Sequence, residues 1–587
     1  MFKVIRDLSI KDKMRALICI VLIVASVWLE LKLPDYMQEI TTDIALAVTG
    51  TADMGDIWLQ GAKMLLCALG SMVVTVATAF FSSRIAANSS MMLRARLFDK
   101  VESFSMAEIN KFQTASLITR STNDVNQVQM VIVMGMQVII KAPILAVFAI
   151  GKIIDKSWQW SMVTTVAVLI MLIMITVIVV VAMPKFKIIQ TLNDNINRIM
   201  RENLTGIRVV RAYNAEEYQT DKFDKANHDI TDAHLFTGRI MAAMSPVMML
   251  IMNGLNLAVY WVGVYLINEA VLEDKITLFA DMVTYSAYAM QVIMAFTMIS
   301  VIFVFIPRAS VAAKRIYEVL ETKTSIEDGE FDNDTEEHGR IVFNNVSFRY
   351  PDAAEDVLSN ISFTAEPGEM VAFIGATGSG KSSLINLIPR FYDVTEGEIL
   401  VDGINVKDYK KKNLRNRIGY VSQKTVIFTG SVAENIGYGD NGKAKTTNED
   451  IELAAQIAQA KEFIDNLDGG INARLSQGGT NISGGQKQRV SIARAICRKP
   501  EIFIFDDSFS ALDYRTDRVL REELEKKTKG TTKLVVAQRI GTIINADKII
   551  VLDDGEIVGM GTHKELLKNC EVYKEIAYSQ LSKEELE

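Results

Sequence analysis

Six long apolar stretches in the first 310 residues constrain this 587-residue chain more than any other feature. A helix needs about 20 mostly apolar residues to cross the hydrocarbon core of a membrane, and each stretch is about that long or longer. Because no water reaches the hydrocarbon, a spanning segment must satisfy its own backbone hydrogen bonds, as a helix does. We therefore predict six transmembrane helices, at roughly 16–36, 60–83, 128–152, 158–183, 241–267 and 277–306.

The charges flanking the spans predict the orientation of the chain. The segment before the first span is basic, with Lys3, Arg6, Lys11, Lys13 and Arg15. The segment 34–58 after it carries five acidic residues and no basic one. Since lysine and arginine accumulate on the cytoplasmic side, the N-terminus is predicted to be cytoplasmic. An even number of spans then places the C-terminal half in the cytoplasm as well.

The two polar segments on the inner side, 84–127 and 184–240, are long and charged. The second has apolar residues at helical spacing, which predicts helices that continue beyond the membrane surface. The stretch from Arg208 to Lys222 lies at a turn between such helices. On its own it is either a solvated loop or a contact with a cytoplasmic domain.

Four ionisable residues fall within or at the ends of the spans, namely Glu30, Lys32, Lys141 and Asp281. Charge in hydrocarbon is costly, so such groups either face a cavity or partner, or extend their charged ends to the interface.

The formal net charge of −7 argues against nucleic-acid binding, because no basic domain is present to neutralise phosphates. The four cysteines lack metal-ligand spacing and are expected to be reduced.

A phosphate-binding loop begins the chemistry of the C-terminal half. The apolar strand Val371–Ile374 leads directly into the sequence GATGSGKS and then a helix. Backbone N–H groups of such a loop surround phosphate oxygens, and the helix N-terminus adds partial positive charge. The residues predicted to bind nucleotide here are Gly375, Thr377, Gly378, Ser379, Gly380, Lys381, Ser382 and Ser383. Lys381 is expected to contact the β- and γ-phosphates, and Ser382 to contact Mg²⁺.

A second strand, Ile502–Phe505, ends in two aspartates. An aspartate at the end of a buried strand beside a phosphate-binding loop is the expected second Mg²⁺ ligand, here Asp506. The sequence Ser-Gly-Gly-Gln at 483–486 lies between the two motifs. It precedes a predicted helix, whose N-terminal N–H groups could bind a further phosphate.

These motifs, in this order, resemble an ABC-type nucleotide-binding domain, and the whole chain resembles a bacterial half-size ABC exporter of the multidrug type. The resemblance implies a six-span α-helical transmembrane domain with long cytoplasmic extensions, fused to an α/β P-loop domain. It divides the chain into a cytoplasmic segment 1–15, a transmembrane domain 16–320 with coupling helices, a linker 321–340 and a nucleotide-binding domain 341–587. The expected location is the bacterial cytoplasmic membrane, with both termini inside.

In this family two nucleotide-binding domains dimerise head to tail, and each ATP lies between the P-loop of one and the signature motif of the other. The resemblance assigns Tyr350 to adenine stacking and Gln423 to the loop that couples nucleotide to the membrane domain. Gln423 is expected to contact Mg²⁺ and to take part in hydrolysis. It assigns Ser483, Gly484, Gly485 and Gln486 to the signature, and Asp513 to the loop crossing the dimer interface. The stretch 208–222 then becomes a coupling segment. Gln477 departs from the family, where many exporters carry a glutamate.

Two further departures affect hydrolysis itself. The family places a glutamate after the Mg²⁺-binding aspartate to polarise the attacking water, and this chain has Asp507. Its carboxylate stands one methylene short, and a misplacement of about 1 Å can cost on the order of 10²-fold in rate. The strand Lys533–Ala537 should be followed by a histidine that contacts the γ-phosphate, but Gln538 follows instead. Glutamine can donate a hydrogen bond but cannot carry a proton.

Both substitutions fall on one step while the binding motifs remain intact. This pattern predicts a degenerate ATP site within a heterodimer, whose second site combines this chain's signature with a partner's P-loop, glutamate and histidine. A slow homodimer is the structural alternative, and an exporter-fold importer or a nucleotide-gated regulator are the functional ones. The six spans exclude a soluble ABC ATPase. The expected cargo is a small amphipathic or hydrophobic molecule, and a peptide or lipid would fit the sequence equally.

Overall fold

A computed structural model describes residues 2–48, 54–154, 156–442 and 445–581. The chain divides into two compact units. The first comprises Met1–Lys100 and Ala115–Thr322, and the second comprises Val101–Thr114 and Lys323–Glu587. The second unit therefore includes a short piece of the first inner segment together with the C-terminal half.

The N-terminal half is built from helices. They are α1 (Phe2–Arg6), α2 (Ile10–Val48), α3 (Met54–Glu102), α4 (Met106–Phe112), α5 (Thr114–Thr119), α6 (Val125–Met134), α7 (Lys141–Ile154), α8 (Trp158–Thr205), α9 (Ile207–Ala212), α10 (Glu216–Glu269) and α11 (Leu272–Glu321). Within the described residues, six helical stretches are long and apolar enough to cross a membrane, which confirms the predicted number of spans. The segment α5 to α7, treated as one stretch, forms the third of them.

The spanning helices are longer than the apolar stretches that revealed them. Helix α8 has 48 residues and α10 has 54, whereas about 20 suffice to cross the hydrocarbon. The prediction that helices continue past the membrane surface agrees with these lengths. At the other side, α2 continues through Pro34 to Val48, so most of the acidic segment 34–58 is helical. Residues 49–53, with Asp53, lie outside the described residues.

The third span is interrupted by two π-helical turns, Arg120–Asp124 and Gly135–Ile139. The second turn ends just before α7, which contains Pro143 at its third position. Proline lacks a backbone N–H and cannot bond the carbonyl four residues earlier, so regular α-helical bonding is lost there. Such π-helical turns often occur at functional positions.

The C-terminal half is an α/β domain. Its strands are β1 (Ile341–Phe348), β2 (Leu358–Ala365), β3 (Met370–Gly375), β4 (Glu396–Val401), β5 (Ile404–Asn405), β6 (Ile418–Val421), β7 (Gly430–Ser431), β8 (Arg474–Leu475), β9 (Ile502–Asp506), β10 (Thr532–Val536), β11 (Lys548–Asp553) and β12 (Glu556–Gly561). Its helices are α12 (Lys381–Leu387), α13 (Lys411–Asn416), α14 (Val432–Ile436), α15 (Asn448–Ile457), α16 (Lys461–Asp465), α17 (Gly484–Cys497), α18 (Tyr514–Lys527), α19 (Ile540–Ile543), α20 (His563–Asn569) and α21 (Glu571–Gln580).

A six-stranded sheet in the order β12-β11-β3-β10-β9-β6 organises this domain. Strand β12 pairs antiparallel with β11, and the remaining pairs are parallel. A separate antiparallel sheet has the order β2-β1-β4-β5. Strand β9 is buried at all five positions, as its unbroken apolar run predicts for a central parallel strand. Its Ile504 packs into one hydrophobic core and its Phe505 into another, on opposite faces of the sheet.

Helix α4 belongs to the same compact unit as this domain. Ser105 and Glu108 form a capping box at its N-terminus, with the Glu108 carboxylate accepting from the Ser105 backbone N–H at 2.8 Å. The other oxygen of Glu108 accepts from the backbone N–H of Ser325 at 3.1 Å. At the opposite turn, Asn110 Nδ2 donates to the Tyr392 hydroxyl at 3.0 Å. The helix is thus bonded to the α/β unit at two positions.

Candidate functional site

Four of the predicted site segments meet at one edge of the six-stranded sheet. The P-loop follows β3, the segment with Gln423 follows β6, Asp507 follows β9 and Gln538 lies two residues after β10. These strands are adjacent in the order β3-β10-β9-β6 and run parallel, so their carboxyl ends share one edge. Crevices at the carboxyl ends of parallel strands are the usual ligand sites of α/β sheets.

The P-loop turns sharply between β3 and α12. Gly378 and Gly380 have φ angles of 94° and 91°, in the left-handed region that residues with a Cβ adopt only with strain. Lys381 bends back over the loop, where its Nζ donates to the carbonyls of Gly375 at 2.9 Å and Ala376 at 2.6 Å. Its ammonium thus lies over the loop in which a phosphate would sit. Burial lowers the pKa of Lys381, and the charges of the nearby aspartates partly oppose that shift.

The predicted magnesium ligands contact each other directly. Ser382 Oγ donates to Asp506 Oδ1 at 2.8 Å, joining the first turn of α12 to the end of β9. Asp506 is 5% exposed, and burial raises the pKa of its carboxyl. A hydroxyl and a carboxylate oxygen are the hard ligands that Mg²⁺ prefers, and a buried carboxylate gains from a cation beside it. The residues present therefore fit a magnesium ion.

Asp507 adopts an unusual backbone conformation next to this pair. Its φ is 47°, in the left-handed region, which aspartate tolerates better than most residues. Its side chain accepts two amide N–H groups on the same oxygen, Oδ2, from Gln538 Nε2 at 2.8 Å and from Gln423 Nε2 at 3.4 Å. Burial is the largest influence on the pKa of Asp507 and raises it, while hydrogen bonds and nearby cations oppose the shift. The three residues predicted to act in hydrolysis thus form one hydrogen-bonded group.

Gln538 is held in place by the C-terminal helix α21. The side chain of Gln580 donates to the backbone carbonyl of Gln538 and accepts from the backbone N–H of Ile540, both at 2.8 Å. These two hydrogen bonds fix the position of the segment that carries Gln538. Sequence reasoning missed Gln580, because nothing in a sequence indicates that an isolated glutamine 42 positions downstream makes these bonds.

The proposed adenine-stacking residue lies in an aromatic cluster. The ring of Tyr350 is 4.8 Å from that of Phe348 and 5.2 Å from that of Tyr392, both in edge-on geometry. The Tyr350 hydroxyl is 2.9 Å from Ser383 Oγ on α12. This bond links Tyr350 to the P-loop helix. Tyr392 also accepts a hydrogen bond from Asn110 on α4, a contact that no sequence motif indicates.

The signature segment lies at the start of α17. Ser483 and Gln486 cap this helix reciprocally, with Gln486 Oε1 accepting from the Ser483 backbone N–H at 2.8 Å. Within the described part of the chain, each of these two side chains hydrogen-bonds only to the backbone N–H of the other residue. A Cβ on Gly485 would stand 3.3 Å from the carbonyl of Ala511, in the loop that leads to Asp513. Asp513 in turn caps α18, accepting from the Thr516 N–H.

His563 is buried, with Nδ1 2.7 Å from the Tyr573 hydroxyl. This contact joins α20 to α21. All four cysteines are free thiols.

Two family models match this chain, "ABC transporter transmembrane region" at residues 16–305 and "ABC transporter" at residues 358–510. An uncharacterised ABC transporter ATP-binding protein of Mycobacterium tuberculosis is 38% identical over 557 residues, covering 93% of each chain. YfiB of Bacillus subtilis, also an uncharacterised ABC transporter ATP-binding protein, is 35% identical and covers 97% of this chain and 96% of its own.

An ATP-dependent lipid A-core flippase of Pseudomonas aeruginosa is 35% identical over 83% of this chain and 79% of its own. Among solved structures, a bacterial Atm1-family ABC exporter with ATP bound superposes with a TM-score of 0.79. It is 23% identical, covers 96% of this chain and 97% of its own, and shows similarity of fold. Together these matches confirm the predicted fold class, a six-span exporter fold fused to an α/β nucleotide-binding domain.

Proposed function

The chain belongs to the ABC transporter family, and from this premise we propose that it is the degenerate-site subunit of a heterodimeric exporter. As a half-size ABC exporter it is a multi-pass membrane protein that acts as a dimer and couples ATP hydrolysis to transport. The proposal adds that its own P-loop site retains ATP and hydrolyses it poorly, while its signature completes a competent site with a different subunit. Both termini face the cytoplasm in this account.

The observation that carries the proposal is the hydrogen bonding of the Asp507 side chain. Its Oδ2 accepts amide N–H groups from Gln538 and Gln423, and neither amide can take up a proton. A general base must reach the proton it abstracts, either directly or through one water. A shorter carboxylate held by two amide donors is poorly placed to activate a water at the γ-phosphate.

The binding functions are assigned to the intact parts of the site. The loop Gly375–Ser382 would surround the phosphates, with Lys381 exchanging its carbonyl contacts for phosphate oxygens. Ser382, Asp506 and Gln423 would hold Mg²⁺, which neutralises phosphate charge when bound. Tyr350 would stack on adenine. None of these steps requires Asp507 or Gln538 to exchange a proton.

Two groups of exposed residues support the presence of a second subunit. Ser483 and Gly484 are exposed at the N-terminus of the 14-residue helix α17, where backbone N–H groups can bind a phosphate. In the second inner turn, Val209 is 60% exposed and Tyr213 is 79% exposed. Exposed apolar and aromatic side chains at a turn are common at protein interfaces. We assign the first group to a partner's ATP and the second to a partner's cytoplasmic domain.

The proposed cargo is a small amphipathic or hydrophobic molecule. One relative is named an ATP-dependent lipid A-core flippase, which makes a lipid cargo one of the possibilities to test here. A homodimeric exporter of peptides or lipids is the alternative arrangement.

The proposal is tested by the nucleotide that copurifies with the complex. We expect washed complex, in which this chain is paired with its partner half-transporter, to retain about one ATP per copy of this chain, because binding groups are intact and hydrolysis is slow. Lys381→Ala should release this ATP, and Asp507→Asn should not alter it. Recovery of ADP instead of ATP from the wild-type complex would contradict the degenerate-site assignment.

A further inference from the structure

A lysine and a glutamate face each other within the predicted membrane spans. Lys141 Nζ on α7 lies 2.6 Å from Glu30 Oε1 on α2. Lys141 is in the middle of the third apolar stretch, about 11 residues or 16 Å of helix from its outer end at 1.5 Å per residue. Ionised groups at this depth are costly and usually mark a pathway or a ligand site.

Polar groups from two helices surround Glu30. Ser26, one turn earlier on α2, donates to Glu30 Oε1 at 3.1 Å. On α3, Ser71 donates to the same oxygen at 3.4 Å, and Thr75 Oγ1 lies 3.3 Å from the hydroxyl of Ser26. The polar cluster formed by Glu30, Lys141, Ser26, Ser71 and Thr75 therefore joins α2, α3 and α7.

The backbone is irregular at both charged residues. Pro34 has no N–H for the carbonyl four residues earlier, which is that of Glu30, and Gln291 on α11 donates to this carbonyl at 3.5 Å. Lys141 lies between the π-helical turn Gly135–Ile139 and Pro143. Such breaks are tolerated in membranes where the freed groups find partners or line a cavity. Two independent breaks thus coincide with the two charges.

The Glu30–Lys141 pair is not saturated by its neighbours. Among the residues that the structure describes, no hydrogen bond ends on Glu30 Oε2, and Lys141 donates to no acceptor other than Glu30. The side chain of Glu30 is 25% exposed and that of Lys141 is 19% exposed, so their unused hydrogen-bonding atoms are accessible. An ammonium has three donors and a carboxylate has two oxygens, so the pair offers both charges to a further molecule.

The neighbouring carboxylate of Asp35, in contrast, has hydrogen-bond or ion-pair partners on both oxygens. Asp35, also on α2, receives the Tyr288 hydroxyl on Oδ1 and Lys152 Nζ on Oδ2 at 2.7 Å, with Lys32 Nζ 3.3 Å from Oδ2. Both oxygens of Asp35 are therefore occupied. Asp35 is the matched control for Glu30: an acid on the same helix, paired with a lysine of the same helix α7, but without a free oxygen.

We propose that the polar cluster around Glu30 and Lys141 recognises the headgroup of a zwitterionic amphiphile during transport. The substrate's anionic oxygens would contact Lys141, and its ammonium would contact Glu30 Oε2. The apolar spans around the cluster would hold the substrate's hydrocarbon body. This inference rests on the proposed export function and specifies the class of molecule that is carried.

The chemistry favours a zwitterion over a singly charged substrate. The pair is neutral as a whole, so a lone cation or anion would leave one partner charge unmatched in a medium of low dielectric constant. A headgroup with both charges can bond to Glu30 Oε2 and to the Lys141 ammonium at the same time. A phosphoethanolamine lipid and a hydrophobic peptide with free termini share this chemistry, and experiment separates them.

The test uses the full chain with its partner in phosphatidylglycerol nanodiscs, a matrix without zwitterionic lipid. ATPase stimulation is titrated with lysophosphatidylethanolamine and with its N-acetylated analogue, which lacks the ammonium. We expect a half-stimulating concentration about tenfold lower for the zwitterion, the value of one charge-assisted contact. Glu30→Gln should abolish this preference, whereas Asp35→Asn should retain it. Equal potency of the two probes on the wild type would overturn the proposal.

A charge exchange separates recognition from a structural ion pair. Combining Glu30→Lys with Lys141→Glu retains an internal pair but reverses its polarity. A merely structural pair predicts that this double variant regains the wild-type preference for the zwitterion. Recognition predicts that the preference stays lost, because the hydrocarbon body fixes the direction in which the headgroup enters. Size-exclusion profiles and thermal unfolding of the double variant show that it is folded.

Two further comparisons complete the design. Stimulation by a hydrophobic tripeptide with free termini, compared with the lysolipid, distinguishes a peptide from a lipid source, and either result supports the headgroup chemistry. Stimulation by neither probe overturns it. This failure is distinct from failure of the proposed function, since a mixed complex that still hydrolyses ATP while responding to neither zwitterion contradicts only the substrate class.

Discussion

Asp507 combines three properties at a single residue: a short side chain, a left-handed backbone and two amide donors on one oxygen. We predict that replacing Asp507→Glu together with Gln538→His raises the ATPase rate of a homodimer of this chain by at least about tenfold, a small part of what a positioned base contributes. The longer carboxylate would extend toward the γ-phosphate, and the imidazole could exchange a proton. Steady-state phosphate release from purified homodimer measures the effect.

The single variants provide the control for this prediction. Each single variant should raise the ATPase rate less than the double variant does, because the two residues contact each other and their effects are coupled. An unchanged rate in the double variant, with ATP binding retained, would show that another feature limits hydrolysis.

The burial of Asp506 has a consequence for stability that depends on pH. Its pKa is raised in the folded protein, so the folded state binds the proton more readily and the free energy of unfolding declines as pH rises through the folded pKa. We predict that Asp506→Asn raises the thermal midpoint of the nucleotide-binding domain in nucleotide-free chain at neutral pH, by about 2–4 °C for each 1 kcal/mol relieved in a domain of this size. The gain should diminish as pH is lowered below the folded pKa toward the unfolded one, because wild-type Asp506 is then neutral in the folded protein.

The same variant should lose the stabilisation that Mg²⁺ and ATP give the wild type, because a ligand to the ion is removed. Thermal unfolding of full-length protein with and without nucleotide records both effects. A lower midpoint for nucleotide-free Asp506→Asn at neutral pH would contradict the assignment of a buried, energetically costly carboxylate.

At the scale of single residues, the sequence predicted the motif-bearing positions but not their partners. Lys381, Ser382 and Asp506 follow from short patterns whose spacing is dictated by phosphate and metal chemistry. The contact of Gln580 with the Gln538 segment and the pairing of Glu30 with Lys141 join positions far apart in the chain. Such contacts depend on tertiary packing, which no local pattern encodes.

Among the secondary-structure elements, α4 offers a specific connection to the ATP-binding unit. Asn110 on this helix bonds Tyr392, whose ring packs against Tyr350. We predict that Asn110→Ala and Tyr392→Phe each reduce substrate-stimulated ATPase about two- to tenfold, the worth of one neutral hydrogen bond, with little change in ATP affinity. ATPase titrations with substrate and with ATP separate the two effects.

A double-mutant cycle tests whether the two residues act through this bond. The double variant should be no worse than either single variant, because both remove the same interaction. Additive losses would show that the residues act separately.

The positions of the membrane helices could be predicted from the apolar stretches, but the residues at which these helices begin and end could not. The number of spans follows from composition, since an apolar run of this length has few other stable environments. The continuation of α2 through Pro34 to Val48 does not follow from it, because a proline and an acidic run usually indicate the end of a helix. The π-helical turns before Pro143 are likewise invisible to periodicity.

Considered as a whole, the molecule combines a complete set of nucleotide-binding groups with an altered hydrolytic pair. The carboxyl edge of the parallel sheet brings P-loop, Asp506, Asp507 and Gln538 together. The signature at the start of α17 remains available to another chain. In the proposed dimer, ATP at the site built on Lys381 would bias the complex toward the closed state, and the partner's site would supply turnover.

The most direct test measures the ATPase activity of this chain purified alone and then with half-transporters of its own genome, beginning with its genetic neighbour, in lipid nanodiscs. The account predicts activity only in the mixture, and predicts that this activity survives Asp507→Asn in this chain. Brisk hydrolysis by the chain alone, abolished by Asp507→Asn, would identify Asp507 as a working base and the transporter as a homodimer.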